Sequence, residues 1–376
     1  MYKGFRIIDG HTHYSLNVAP EYMLRIMDLT GTDTANLAAV SHSRKLSCVP
    51  EALMLKAMYP GRFFVYASLD ASEYYRDRGA LGESMARYAR RMLSIGCDGL
   101  KLLEGKPQVR KRLPVPDFDD GCWEPFWQYA EEAGAPILWH VNDPETFWDA
   151  AAVPDWAKKQ GWYYDGSYIN NEAQYAQVLR VLARHRGLKI IFAHMFFMSA
   201  QLDRLAAIME SCPRVMVDLT PGIELYENLS ADRAGAEAFF ARFSRRIIYG
   251  TDIGGRCVLD GEYRPFNEAE NLRRPEIVRQ YLAGEEGVVR SDGSFLVGRP
   301  DFTLRPPRLT REQREDIFSG NFLRFTGGEP KSTDAAGVLT ECARLRERLK
   351  WMESAGAAPR PDLSGFDTVE AYFGRR

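Results

Sequence analysis

RIIDGHTH, residues 6–13, is a short apolar run that ends on two histidines two positions apart. Side chains alternate faces along a β-strand, so His11 and His13 project from one side of this strand with Thr12 opposite. Two imidazoles on one face can chelate a single ion, and standing alone they can equally be two hydrogen-bonded or solvated histidines at a strand end. The rest of the chain has to decide between these readings, and it speaks first about the fold.

Runs of the same kind recur along the chain: ANLAAVSH (35–42), FFVYASLD (63–70), DGLKLLEG (98–105), PILWHVND (136–143), KIIFAHMF (189–196), VMVDLT (215–220) and RIIYGTDIG (246–254). Their near-continuous hydrophobicity suits parallel strands covered on both faces. Helical segments lie between them. In EAQYAQVLRVLARHRG, Tyr175, Val178, Leu179 and Leu182 form the i, i+3, i+4, i+7 stripe and Gly187 is a stop signal. Eight β/α repeats in about 250 residues match an α/β (β/α)8 TIM barrel, whereas a doubly wound open sheet shares the pattern without closing. The expected organisation is one domain over 1–376, with the barrel at about 5–326 and a C-terminal helix and tail at about 327–376. A long Pro-, Arg- and Gly-rich loop follows strand eight (255–309), with one helical stretch and a hairpin expected around SDGSFLVG. In the C-terminal helix, Leu339, Cys342, Leu345, Leu349 and Met352 make an apolar stripe that must pack on the barrel wall or on a second subunit.

Composition narrows the function classes. Of 376 residues, 45% are hydrophobic and 27% charged, and the formal charge of −2 provides no basic field for nucleic acid. No apolar stretch reaches the length of a membrane span, and with the first strand starting so near Met1 no secretory leader is expected. The six cysteines show no C-x-x-C pair, which suits a reducing, cytoplasmic setting.

Histidine placement points to chemistry. Of six histidines, His11 and His13 end strand one, His140 ends strand five and His194 ends strand six. In a barrel these ends meet at the face where active sites are built. Asp252 ends strand eight, which closes beside strand one, so it is expected next to the HxH pair. Singly, His140 can be a satisfied core histidine and Asp252 a cap; jointly, the set reads as a site. Lys101, inward on strand four, can hold a carboxylate or, if carboxylated, bridge two metals. Glu104 has the opposite parity, and Asp9 has the parity of the histidines one layer deeper, which suits a partner orienting a ligand. His185, in the last turn of a helix at the far end, reads as structural.

These residues, with ARYARRMLSIGCDGLKLL, GAPILWHVND, LKIIFAHM, RVMVDLT and IFSGNFLRF in that order, resemble the amidohydrolase superfamily, in its amidohydrolase-related (amidohydrolase 2) branch of metal-dependent TIM-barrel hydrolases and decarboxylases. The resemblance implies that His11, His13, His140 and Asp252 bind one divalent ion. Zinc is expected and manganese also fits, with a second metal only if Lys101 is carboxylated. It further implies His194 beside the nucleophilic water and Asp252 as its proton acceptor, with a small-molecule substrate and a homo-oligomer. The leading expectation is hydrolysis of a lactone- or amide-like bond, the alternative decarboxylation of a small carboxylic acid, and the least favoured a non-catalytic binding scaffold. Arg44, Lys106, Arg110 and Arg256 follow barrel strands and are candidates to receive an anionic substrate, while SLNVAPEYM and WAKKQGWYYDGSYINN are expected to shape its pocket.

Overall fold

The computed structural model describes residues 4–42, 44–222, 224–255, 267–290, 301–357 and 360–375. Eight parallel strands succeed one another around a ring: β1 (Ile8–His13), β2 (Thr34–Ala38), β3 (Phe63–Ser68), β4 (Gly99–Gly105), β5 (Pro136–Val141), β6 (Lys189–Phe192), β7 (Val215–Asp218) and β8. The last spans 247–254 in two paired pieces. Ile247–Ile248 pairs with β7, and Ile253–Gly254 pairs with Thr12 and His13 of β1. Between them, the Gly10 amide donates to Tyr249 O (2.9 Å) and the Asp252 amide to His11 O (2.7 Å), so β8 joins the two edges of the sheet. Strand order follows chain order throughout, without the reversal that a doubly wound sheet requires. The fold is an α/β TIM barrel.

A helix follows each of the first seven strands: Pro20–Leu29, Val49–Met58, Leu81–Ser94, Glu124–Glu132, Asn171–Arg184, Leu202–Ser211 and Arg233–Phe243. The helical run Arg311–Glu315, Asp316–Gly320 and Asn321–Thr326 completes the set, opened by a capping box between Thr310 and Gln313. Asn170 caps the Asn171–Arg184 helix by accepting from the Ala173 amide, and the helix buries Tyr175, Val178 and Leu182. It ends at His185, two residues before the expected glycine. The His185 ring there bridges Glu131 (3.0 Å) and Glu124 (3.1 Å), in keeping with a structural role.

Inward residues of the strands, among them Ile8, Phe64, Tyr66, Leu138, Ile191 and Ile248, fill the lumen together with Phe322 and Phe325 of the helix Asn321–Thr326. Each such buried side chain contributes about 1.5–3 kcal/mol. With aromatic rings filling the lower lumen, the polar inward residues are left at the C-terminal strand ends.

After β8, the helix Glu268–Ala283 is followed by an antiparallel pair, Gly287–Val289 with Phe302–Leu304. The stretch SDGSFLVG, Arg256 and the His42 side chain lie outside the described residues. The apolar stripe of the helix Ala335–Ser354 is covered within the chain, by Val49–Met58 and by a further helix, Ser364–Phe373, so it packs on the barrel's outer layer. No helix among the described residues is long and apolar enough to cross a membrane.

Candidate metal centre

Ile8 and Gly10 both face the lumen: a Cβ on Gly10 would stand 2.7 Å from Ile248 Cγ2 and 2.9 Å from Phe322 Cδ2. Strict alternation would then turn His11 and His13 outward. The register of β1 against β2 shifts between Asp9 and Thr12, and this irregularity brings both imidazoles to the inner side. Asp9 holds the shifted backbone, accepting from the amides of His11 (3.2 Å) and Thr251 (3.1 Å) and from the Thr251 hydroxyl. Its expected task of orienting a histidine ring falls instead to Asp218, which the sequence reading missed.

Asp218 Oδ2 lies 2.9 Å from His11 Nδ1, and its Oδ1 accepts from the amides of His194 (2.7 Å) and Thr220 (3.1 Å). His13 Nδ1 lies 2.7 Å from the Ala38 carbonyl. Carbonyl and carboxylate oxygens only accept, so both rings carry their proton on Nδ1 and expose a lone pair at Nε2. Asp252 Oδ1 stands 2.8 Å from His13 Nε2 and 4.0 Å from His11 Nε2. Two acceptors at 2.8 Å require a cation between them, a proton or a metal ion. Ligand atoms of His11, His13 and Asp252 all fall within 4.8 Å of one another. Two neutral imidazoles and a carboxylate are a donor set that fits a divalent metal ion.

Asp252 adopts a left-handed conformation (φ 55°), which aspartate tolerates. Its other oxygen, Oδ2, is 3.0 Å from Nη1 of the buried Arg274, itself gripped by Glu270 at 2.7 and 3.0 Å. Arg274 was also missed. Only its Glu270 partner four residues earlier was visible in sequence, and that spacing is common on solvated helices.

Lys101 Nζ lies 3.1 Å from His11 Nε2, so this lysine does face the centre. Burial pulls its pKa down to about 8. Glu104, also buried, is pushed up to about 7 by its loss of solvent and stands outside the His–His–Asp cluster.

His140 lies outside that cluster too. Its ring meets His194 edge-on at 5.2 Å between centroids, and His194 in turn lies 5.6 Å from His11. His140 Nε2 is 3.5 Å from Asp143 Oδ1. Burial alone would raise the Asp143 carboxyl, but Lys106 and His140 outweigh it and hold it well below the usual range. Gly105 lets β4 approach His140 closely: a Cβ there would be 2.1 Å from the His140 carbonyl oxygen.

His194 was expected at the end of strand six, but the strand stops at Phe192. His194, Met195, Phe196 and Phe197 then form a left-handed turn, with φ of 55°, 50°, 58° and 53°. Such a conformation costs about 1–2 kcal/mol per residue. Offsetting contacts include the Asp218 bond to the His194 amide, the Tyr175 hydroxyl donating to Phe196 O (2.8 Å) and the His194–Phe197 stack at 4.9 Å. His194 Nδ1 faces the Thr220 carbonyl at 3.2 Å, which leaves Nε2 an acceptor. Burial, then nearby cations or histidines, keeps His11 and His194 neutral, well below the ordinary imidazole pKa.

Three of the expected anion receivers are engaged elsewhere: Arg44 with Arg360 O, Lys106 with Asp143, and Arg110 with Gln177 and Asp117. The aromatic run after β5 forms a small core of its own from Phe147, Trp162 and Tyr164 with Val153 and Ala157.

Comparison with known proteins sets this geometry in context. No curated protein matches the sequence. Among solved structures, the chain is similar to 5-carboxyvanillate decarboxylase LigW from Sphingomonas paucimobilis, with a TM-score of 0.52 and 12% identity over 86% of this chain and 99% of that one. It is similar to 2,6-dihydroxybenzoate decarboxylase from Rhizobium at 0.52 and 14%, again over 86% and 99%. A third likeness is to 4-oxalomesaconate hydratase LigJ from Rhodopseudomonas palustris, at 0.50 and 13% over 92% and 99%. At such identities the likeness concerns the fold alone. The family model described as amidohydrolase matches residues 8–325. Because that match runs from β1 into the last barrel helix and takes in every residue of the centre, the chain belongs to the amidohydrolase family.

Proposed function

We propose that this chain is a metal-dependent hydrolase that cleaves a C–O or C–N bond to a carbonyl, as in a lactone or amide, in a small anionic substrate. Convergence of His13 Nε2 and Asp252 Oδ1 at 2.8 Å, with the His11 Nε2 lone pair beside them, carries this reading. His11, His13 and Asp252 would hold one divalent ion, zinc by ligand type with manganese also suited, and His140 would complete the set. Bound there, such an ion would supply Lewis acidity, of the kind that brings the pKa of water down to about 7. Asp252 Oδ1 takes the proton of the attacking water and returns it to the leaving group, while Arg274 keeps the carboxylate from rotating. His194, an acceptor at Nε2, orients that water. Lys101 and Arg274 stand beside Asp218 and Asp252, with Glu270 taking up part of the Arg274 charge, and a bound divalent ion would add positive charge suited to an anionic substrate. Lys101 would support a second ion only as its carboxylated form.

Decarboxylation is the second reading, prompted by the same positive centre and by the likeness to two named decarboxylases. It asks Asp252 or His194 to protonate carbon. The acceptor state of His194 Nε2 favours hydrolysis. A reducing, cytoplasmic setting is part of the same proposal, in line with the scattered spacing of the six cysteines. Self-association into a homo-oligomer is part of the proposal and is read by light scattering.

Elemental analysis of protein purified without added metal or chelator tests the centre, with one equivalent of zinc or manganese expected and none, even after soaking, refuting it. Assays on lactone, amide and carboxylate panels then separate the chemistries. Acid release without gas supports the hydrolase, carbon dioxide evolution replaces it with the decarboxylase, and tight binding without turnover would mean a binding scaffold.

A further inference from the structure

We propose that Asn271, on the helix that follows β8, is a positioning residue for the metal centre: it fixes the backbone of Gly254, on which the approach of Asp252 to His13 depends. The proposal rests on the reading of His11, His13 and Asp252 as metal ligands and goes beyond it in naming what holds two of them together.

The end of β8 is irregular backbone held from outside the sheet. Asp252 (φ 55°) and Gly254 (φ 113°) both leave the ordinary strand conformation, and Gly254 lies across from His13 in the register with β1. A Cβ on Gly254 would overlap the His13 carbonyl oxygen, so the two backbones touch there. The amide of this buried glycine donates to Asn271 Oδ1 at 2.7 Å. Gly254 is therefore the shared point, two residues past Asp252 in the chain and the register partner of His13.

The helix Glu268–Ala283 departs from good helix composition where it makes this contact. Asparagine is a poor residue inside a helix because its side chain competes for backbone partners, yet Asn271 lies buried one turn in. Pro275, four residues later, has no N–H to give the Asn271 carbonyl, so the helix lacks one of its own bonds at this turn. The Asn271 side chain is nevertheless held in one orientation: Nδ2 donates to Asn267 O (2.7 Å), which turns Oδ1 to Gly254. Asn267 caps the helix by accepting from the Glu270 amide (3.1 Å), and Glu268 ties it to the Pro20–Leu29 helix through Tyr22 (2.8 Å) and Arg25 (3.0 Å). Arg274, three residues on and on the same face, takes the Asp252 side chain. One face of this helix grips the aspartate twice, by its carboxylate and through the backbone two residues beyond it.

The test has two arms, with zinc and cobalt(II) as probes in the first. Asn271→Ala, its folding checked by circular dichroism, should bind zinc about 10–100-fold more weakly in chelator competition, the usual effect of removing a residue that holds a ligand. Alanine is the better helix former, so weaker binding would not come from a lost helix. The visible spectrum of the cobalt(II) form should shift as well, because the Asp252 oxygen moves relative to the imidazoles. Wild-type affinity and an unchanged cobalt spectrum in folded Asn271→Ala, beside weakened binding in His13→Gln, overturn the positioning role alone. Wild-type affinity in His13→Gln instead overturns the reading of the centre, and this proposal with it. The second arm needs no substitution: in metal-free wild-type protein the Gly254 amide should exchange its hydrogen slowly, and exchange at the rate of an open chain overturns the bond to Asn271.

Discussion

Replacing Asp218 by asparagine should reverse the tautomer of His11 and strip the centre of one ligand. Asp218 Oδ1 accepts two backbone N–H groups, from His194 and Thr220, so in the variant the amide oxygen is held at that position. The amide nitrogen then falls where Oδ2 stood, 2.9 Å from His11 Nδ1. A donor facing Nδ1 drives the imidazole proton to Nε2, the atom that turns toward Asp252. Restoring the binding form leaves two donors face to face. It forfeits a bond to a charged group, about 1.5–3 kcal/mol, and leaves a buried donor unsatisfied, about 1–3 kcal/mol more. At roughly 1.4 kcal/mol per decade, zinc affinity should fall about 100-fold or further. Chelator competition on metal-free protein measures it, with circular dichroism to show the barrel intact. An unchanged affinity in a folded Asp218→Asn protein would mean that Asp218 does not set the His11 tautomer, and the metal-centre geometry derived from it would be wrong.

Other substitutions separate ligand, catalytic and structural roles. Asp252→Asn should abolish turnover and weaken metal binding together, as read by kinetics and elemental analysis. His194→Asn should abolish turnover while largely retaining metal; loss of metal as complete as in a His11 variant would refute that division. Asp98→Ala removes the partner of buried Lys56, whose ammonium lies 2.6 Å away. Breaking such a pair should cost about 3–5 kcal/mol in urea denaturation without changing the zinc affinity of the folded protein. His185→Gln, at the far end of the barrel, should leave both metal binding and turnover near wild type.

The particular residues show why some of this was legible in sequence. The eight strands announced themselves because strands buried on both faces must be apolar along nearly their whole length, as in IIF (190–192) and PILW (136–139). His11, His13 and Asp252 could be placed together because a closed barrel brings every strand end to one face, and their contacts agree with that expectation. Parity arguments were weaker. His11 and His13 do share a side, yet only through a register shift that moves Asp9 to backbone duty, and such a shift leaves no mark in residue type.

By itself the sequence determined the strand and helix order and the polar residues that the C-terminal strand ends would carry, since these follow from periodic burial along one chain. Tertiary structure decided the closure of the ring through the split β8, the left-handed turn that presents His194, and the partners Asp218, Arg274 and Asn271. Those choices depend on contacts between segments up to 242 residues apart or on a strained backbone held by its neighbours. Hydrogen-bond geometry across such separations fixes which nitrogen of His11, His13 and His194 is free, and no property of a single segment encodes it.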